Sequence, residues 1–197
     1  NCALLTNSLK PYACCRHTHA ADYCAQLLRG EHRLEPEHIT RIVDHTYQVA
    51  VNTVDNPEPS TPYGYKFSGQ YCTAAMLVYG HLGESAFTPE ATSDPRVRRL
   101  MDKITLVCDP ELEASYQADR NRWAHRLEVT LEDGRVLTRQ VEYPYGDFNN
   151  PFTWAYEHEK FHTLADGVLG PDRVAALVER LPHLEELDDI NRLFEGL

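Results

Sequence analysis

The sequence predicts an α+β fold, with a mainly antiparallel sheet and flanking helices over residues 1–148 and a helical segment over residues 149–197. Three observations carry that expectation. Alternating apolar residues flank Asp133-Gly134 in "RLEVTLEDGRVLTRQVEY", the pattern of two strands joined by a tight turn. "SGQYCTAAMLVYG" is apolar on nearly every side, as a helix buried on most faces must be. After "PYGDFNNP" the strand signals stop, and only helix start and stop signals follow.

Each element follows in chain order. "THAADYCAQLLR" at 18–29 puts Ala20, Ala21, Cys24, Ala25, Leu27 and Leu28 on one helical face, with Thr18 as N-cap and Gly30 as stop. "ITRIVDHTYQVAVNTV" at 39–54 is rich in Ile, Val, Thr and Tyr and reads as one long strand. The prolines and glycine of "DNPEPSTPYG" at 55–64 read as a loop. The apolar helix begins at Ser68 and ends at Gly80 or Gly83. "SDPRVRRLMDKI" opens a short helix capped by Ser93 or Asp94, with Pro95 in its first turn. "ITLVCD" at 104–109 is a strand, and 126–143 is a hairpin with a type I′-like turn. Helices are expected at 153–166, 171–181 and 187–195, started by Thr153 and Pro171-Asp172. Roughly fifty helical residues are too few to make a core of their own.

Composition narrows the function classes. The chain has 197 residues, 42% hydrophobic and 25% charged, which is an ordinary soluble globular balance. A net charge of −11 argues against a nucleic-acid or anionic-membrane partner. No apolar run reaches the roughly 20 residues of a membrane helix, and no signal peptide is visible. Asn1 is not an initiator methionine, so a processed, tagged or excised chain is expected. Six cysteines, irregularly spaced and without a CxxC, read as reduced, mostly buried thiols of a cytoplasmic protein.

The thirty acids avoid two windows. None lies between Asn1 and Ala21, and none between Pro59 and Gly83. Those windows hold Lys10, Arg16, His17, His19, Lys66 and His81 with five tyrosines. If they meet in space, they form a local anion site within an acidic chain. Buried helix, where acids are rare, accounts for 72–80 equally well but not for 8–19. Within "KPYACCRHTH", a metal is not expected: Cys14-Cys15 and His17-x-His19 make awkward pairs, with no acid nearby as a further ligand. A cysteine nucleophile lacks a visible third member beside Cys15 and His17. Lys10, in an acid-free loop before a helix N-terminus, suits a carboxylate or phosphate, although a solvated lysine is the commoner fate. Tyr71 is either a proton or hydrogen-bond donor in the same site or a core tyrosine.

"LKPYACCRHTHAADYC", "YKFSGQYCTAAMLVYG", "DPRVRRLMDKI", "LEVTLEDGRVLTRQVEYPYGDFNNP" and the closing helices together resemble the C-terminal part of the MmgE/PrpD family over nearly the whole chain. The resemblance implies a large all-helical domain with a smaller α+β lid, the lid being inserted late before the chain returns to finish the helical domain. It implies that Lys10 of the K-P-Y segment and Tyr71 of the F-S-x-x-Y segment line a cleft for di- and tricarboxylates. Arg16, His17, His19, Lys66 and Ser68 join them as substrate-binding candidates. A family histidine five residues after the lysine is replaced here by Cys15.

The implied chemistry is that of a carbon–oxygen lyase, dehydration first, with decarboxylation or epimerisation as family alternatives and no metal or cofactor. The family's large helical segment before the lid is missing. The expected partners are therefore a small polycarboxylate and an N-terminal helical chain, a second copy of this chain, or both. The alternative from another class is a non-catalytic binding or assembly subunit that keeps the fold.

Overall fold

A computed structural model describes residues 3–195, so Cys2 lies outside the described residues. The chain divides into two compact units, 1–151 and 152–197, each described here by itself.

The first unit is built on a four-stranded sheet of order β2-β1-β3-β4, formed by β1 (Ile39–Thr46), β2 (Ile104–Cys108), β3 (His125–Leu131) and β4 (Val136–Val141). β1 runs parallel to β2, with Ile42 opposite Ile104 and Thr46 opposite Cys108. It runs antiparallel to β3, and β3 antiparallel to β4, so two of the three pairings match the expected sheet. His125, Leu127, Val129 and Leu131 of β3 are buried, alternating with half-exposed residues. That period of two identifies a sheet with one covered face.

Helix α1 (His19–His32) lies against β3 and β4, and α4 (Gly69–Tyr79) packs on α1 and β2. The touching faces are small: Ala20, Ala21, Cys24 and Ala25 on α1, and Cys72, Ala74 and Ala75 on α4, are all at most 1% exposed. Small side chains let the two backbones approach, while Leu28 and Met76, buried in the same core, fill the larger spaces. Every residue of α4 from Gly69 to Leu77 is buried, as its all-round apolar sequence requires.

Several elements depart from expectation. β1 stops at Thr46, and the second half of the expected strand is α2 (Gln48–Val54), whose Ala50 and Val54 face inward four residues apart. β-branched composition cannot separate a short strand from a one-sided helix, and here the parallel partner ends with Cys108. Gly30 lies inside α1, which runs on to His32 and ends where Arg33 adopts a left-handed φ of 49°. Buried Leu34 donates its amide to the Arg29 carbonyl at 3.3 Å and anchors that end. The loop 55–64 closes with the single turn α3 (Pro62–Tyr65), capped by Thr61.

At the hairpin, Gly134 has φ 84° but Asp133 is not in the left-handed region. The Gly134 amide donates to Leu131 and the Leu131 amide to Arg135. That is a type I turn closed by a glycine bulge, not a type I′ turn.

The remaining pieces are α5 (Pro89–Thr92), α6 (Pro95–Met101) and α7 (Pro110–Ala118). Asp94 and Asp109 cap α6 and α7 through their side chains, each just before a proline. The sequence pattern gives little warning of α7.

The second unit holds α8 (Trp154–Leu169) and α9 (Pro171–Arg180), separated by Gly170, and then only 3-10 turns at Leu181–Glu186 and Ile190–Phe194. The expected helix at 187–195 is thus a short turn, opened by Asp189, whose carboxylate accepts from the Asn191 amide. No helix among the described residues is long and apolar enough to cross a membrane.

Candidate functional site

The segment from Ser8 to Thr18 is threaded by its backbone between two other stretches. Leu9 donates to the Gly146 carbonyl, Ala13 to Leu82 and Cys15 to Lys66, each at 2.8 Å. The last two bonds join one acid-free window to the other. The windows therefore do meet, and what lies at and around their junction can be read residue by residue.

Lys10 is exposed, and its ammonium donates to the Cys14 carbonyl at 3.1 Å. No acid pairs with it among the described residues. Arg16 is held differently: one terminal nitrogen, Nη2, bonds Asp147 Oδ2 at 2.6 Å, while the other, Nη1, is buried without a partner. Its guanidinium also lies 5.1 Å over the Trp123 ring.

His17 stacks flat on the same ring, at 4.5 Å and 8°, and shares a 2.7 Å hydrogen bond through Nδ1 with the Tyr47 hydroxyl. Burial, with His125 and Arg16 nearby, pushes the His17 pKa down to about 4. The ring is a neutral imidazole at ordinary pH. Behind it, His125 bonds Asp44 through Nδ1 at 2.7 Å and Thr46 through Nε2 at 3.0 Å, with His125 and Asp44 both 1% exposed.

The other sequence candidates have structural partners. Tyr71 is fully buried and donates its hydroxyl to the Ala86 carbonyl, which makes it the core tyrosine of its second reading. Burial raises its pKa, so it stays protonated. Ser68 caps α4 by accepting from the Tyr71 amide and donates to the Asn56 carbonyl at 2.6 Å. Lys66 is paired with Glu84 at 2.9 Å, the first acid after its window, and lies over Phe87. His19 is buried edge-on to Tyr12, with Nε2 3.3 Å from the Cys14 carbonyl. Lys10, Arg16 and His17 thus belong to the accessible side of the segment, and Tyr71, Ser68 and His19 to its buried side.

Beneath Lys10 lies a buried polar knot that sequence reading missed. Thr18, although placed at the N-cap of α1, bonds the Cys15 carbonyl at 2.9 Å and Asp22 Oδ2 at 2.7 Å. Cys14 Sγ is 3.6 Å from the same carboxylate oxygen, and Cys72 of α4 closes the group. An acid does therefore approach the cysteines, contrary to the sequence expectation, because one turn of α1 carries Asp22 back over them. Burial pushes the Asp22 carboxyl well up, with Cys14 adding to it. Asp147, Trp123, Tyr47 and Cys72 escaped notice because their partners are 30 to 131 residues away or more than one element distant. The two windows without acids were the one sequence signal that pointed to the junction.

Comparison with known proteins agrees with the residues that carried the resemblance. The MmgE/PrpD C-terminal domain matches residues 12–183. The mitochondrial 2-methylcitrate dehydratase of Yarrowia lipolytica is 32% identical over 136 residues, covering 66% of this chain and 26% of that protein. The 2-methylcitrate dehydratase of Cupriavidus necator is 35% identical over 111 residues, covering 55% and 23%. The cis-aconitate decarboxylase of Aspergillus terreus is 28% identical over 206 aligned positions, covering 98% and 40%. The chain spans between about a quarter and two fifths of the length of these relatives. It belongs to the MmgE/PrpD family, of which it carries the C-terminal domain.

Proposed function

We propose that this chain is the lid-bearing subunit or fragment of a metal-independent lyase that acts on a small di- or tricarboxylate, most simply by dehydration. The observation that carries the reading is Lys10. In a chain of net charge −11 it stands exposed with no acid partner among the described residues, held in place by the Cys14 carbonyl. Such a charge is arranged to receive an anion. Arg16, paired with Asp147, and His17, stacked on Trp123, lie on the same segment as further substrate-binding candidates. The relatives are named for 2-methylcitrate and cis-aconitate, both polycarboxylates. The remaining acid–base groups come from an N-terminal helical portion that the matched relatives' greater length accommodates.

The test is to combine the chain with that helical portion, as a separate chain or joined to it, and to assay 2-methylcitrate dehydration and cis-aconitate decarboxylation. Turnover abolished by omitting this chain is expected. Equal turnover without it overturns the proposal.

A second reading, that of a non-catalytic binding or assembly subunit, is favoured by Tyr71 and Lys66, whose polar ends are occupied by Ala86 and Glu84. Polycarboxylate binding by calorimetry together with unmeasurable turnover in the assembled protein supports this second reading over the first.

A further inference from the structure

The knot beneath Lys10 is a set of ligands without an assigned role. Cys14, Asp22 and Cys72 bring two sulfurs and a carboxylate oxygen within 4.8 Å of one another, and all three side chains are buried. The Cys14 Sγ to Asp22 Oδ2 separation is 3.6 Å. Two donors bound at about 2.3 Å and 2.1 Å across a tetrahedral zinc ion stand about 3.6 Å apart. Thr18 Oγ1, 3.2 Å from the sulfur, donates to the same carboxylate oxygen at 2.7 Å and so orients it as a hydrogen-bond partner, not as a ligand.

The charge balance points the same way. Asp22 is fully buried, its Oδ1 has no hydrogen-bond partner, and no lysine or arginine pairs with it among the described residues. A buried carboxylate with an orphaned oxygen is unfavourable unless it is protonated or meets a cation. His19, adjacent to Thr18, also has a buried nitrogen, Nδ1, without a partner. Two unsatisfied polar atoms from neighbouring turns around two thiols describe a place that lacks something polar.

We propose that Cys14, Asp22 and Cys72 form a structural site for a thiophilic divalent cation of the zinc class. Binding forms two metal–sulfur bonds and one metal–oxygen bond. It releases the protons of both thiols, and any proton on Asp22, to solvent. The ion takes no part in turnover. Its effect is mechanical: Cys14 belongs to the segment that carries Lys10, Asp22 to α1 and Cys72 to α4, so one ion fastens the two acid-free windows together. The site is closed by protein on all sides, so loading accompanies folding.

The full chain, produced in zinc-supplemented medium without chelators, is analysed for metal by mass spectrometry. A parallel sample is unfolded with chelator and refolded with cobalt(II), and its absorption spectrum is recorded. About one equivalent of zinc per chain and a sulfur-to-cobalt charge-transfer band are expected. C14S and C72S should each weaken metal retention by at least about tenfold, and D22N should shift the cobalt bands. C108S, at an exposed cysteine outside the cluster, should change neither. If the serine variants fail to fold, the cobalt spectrum of the wild-type chain decides alone. Metal-free wild-type protein with no cobalt band and a Tm indifferent to zinc overturns the proposal. So does a Cys14–Cys72 disulfide in the native chain, or an ordered water without anomalous signal among the three side chains.

Discussion

Lys10 owes its candidacy to what surrounds it rather than to its own type. An ammonium answered by a single backbone carbonyl retains most of its field, and a carboxylate brought to it gains a charge-assisted contact worth roughly 1.5–3 kcal/mol. In the assembled enzyme, Lys10→Ala is therefore expected to lower kcat/KM by about tenfold to a hundredfold. A rate within twofold of wild type would mark Lys10 as a solvated surface charge. His17 gives a second residue-scale expectation, on stability. Its folded pKa of about 4 lies below the ordinary 6.5, so between those values the unfolded chain binds a proton that the folded chain refuses. The stability contributed by keeping His17 neutral is fully present above about pH 6.5 and is lost progressively as pH falls toward 4. Urea midpoints measured across that window should fall more steeply for wild type than for His17→Asn. Parallel slopes would show that the ring titrates as it does in solvent and is not held between Trp123 and Tyr47.

Elements were legible where a local pattern and its tertiary use coincide. The hairpin at Asp133-Gly134 has alternation, a turn signal and a buried face all in one stretch, so strands β3 and β4 were plain before the turn type was. Helix α4 announced itself because nothing on it needs water. The segment 39–54 failed because its composition suits a strand throughout, and only the end of β2 decides where β1 must stop. Placement of α4 rests on Gly69, where an added Cβ would stand 2.9 Å from Leu106 Cδ2 of β2 and 3.4 Å from the Val54 carbonyl. That close approach lets the N-terminus of α4, and with it the Ser68 cap, sit against the sheet. Gly69→Ala should destabilise the chain by about 1–3 kcal/mol through overpacking, seen as a lowered chemical-denaturation midpoint with an unchanged m-value. A gain in stability would mean that Leu106 yields easily and that the contact does not set the helix position. Of the candidate site, sequence reading singled out Lys10, Arg16 and His17 on one short segment. It could not see that Asp147 and Trp123 would hold Arg16 and His17, because those contacts close only when the stretch before β3 and the loop after β4 come back to the segment.

At the scale of the whole molecule, the second unit raises the question of what covers it. Apolar residues recur along 152–195, yet only Val174, Leu177 and Leu193 among them are buried. Trp154 is 64% exposed, Val168 83%, Ile190 58% and Phe194 59%. Single exposed apolar residues are ordinary, but a run of large ones on α8 and the two closing turns is the mark of an interface. We therefore expect the isolated 197-residue chain to be inactive alone. It should associate with a helical N-terminal portion or, lacking one, with a second copy of itself. Sedimentation velocity over a concentration series measures this directly, and Val168→Glu combined with Phe194→Glu should shift the distribution toward monomer. A chain that stays monomeric and binds no apolar dye would show that these side chains are tolerated at the surface. If that monomer also turned over a polycarboxylate at full rate, neither a partner nor a second copy would be needed, and the lid-subunit proposal would fall with the interface.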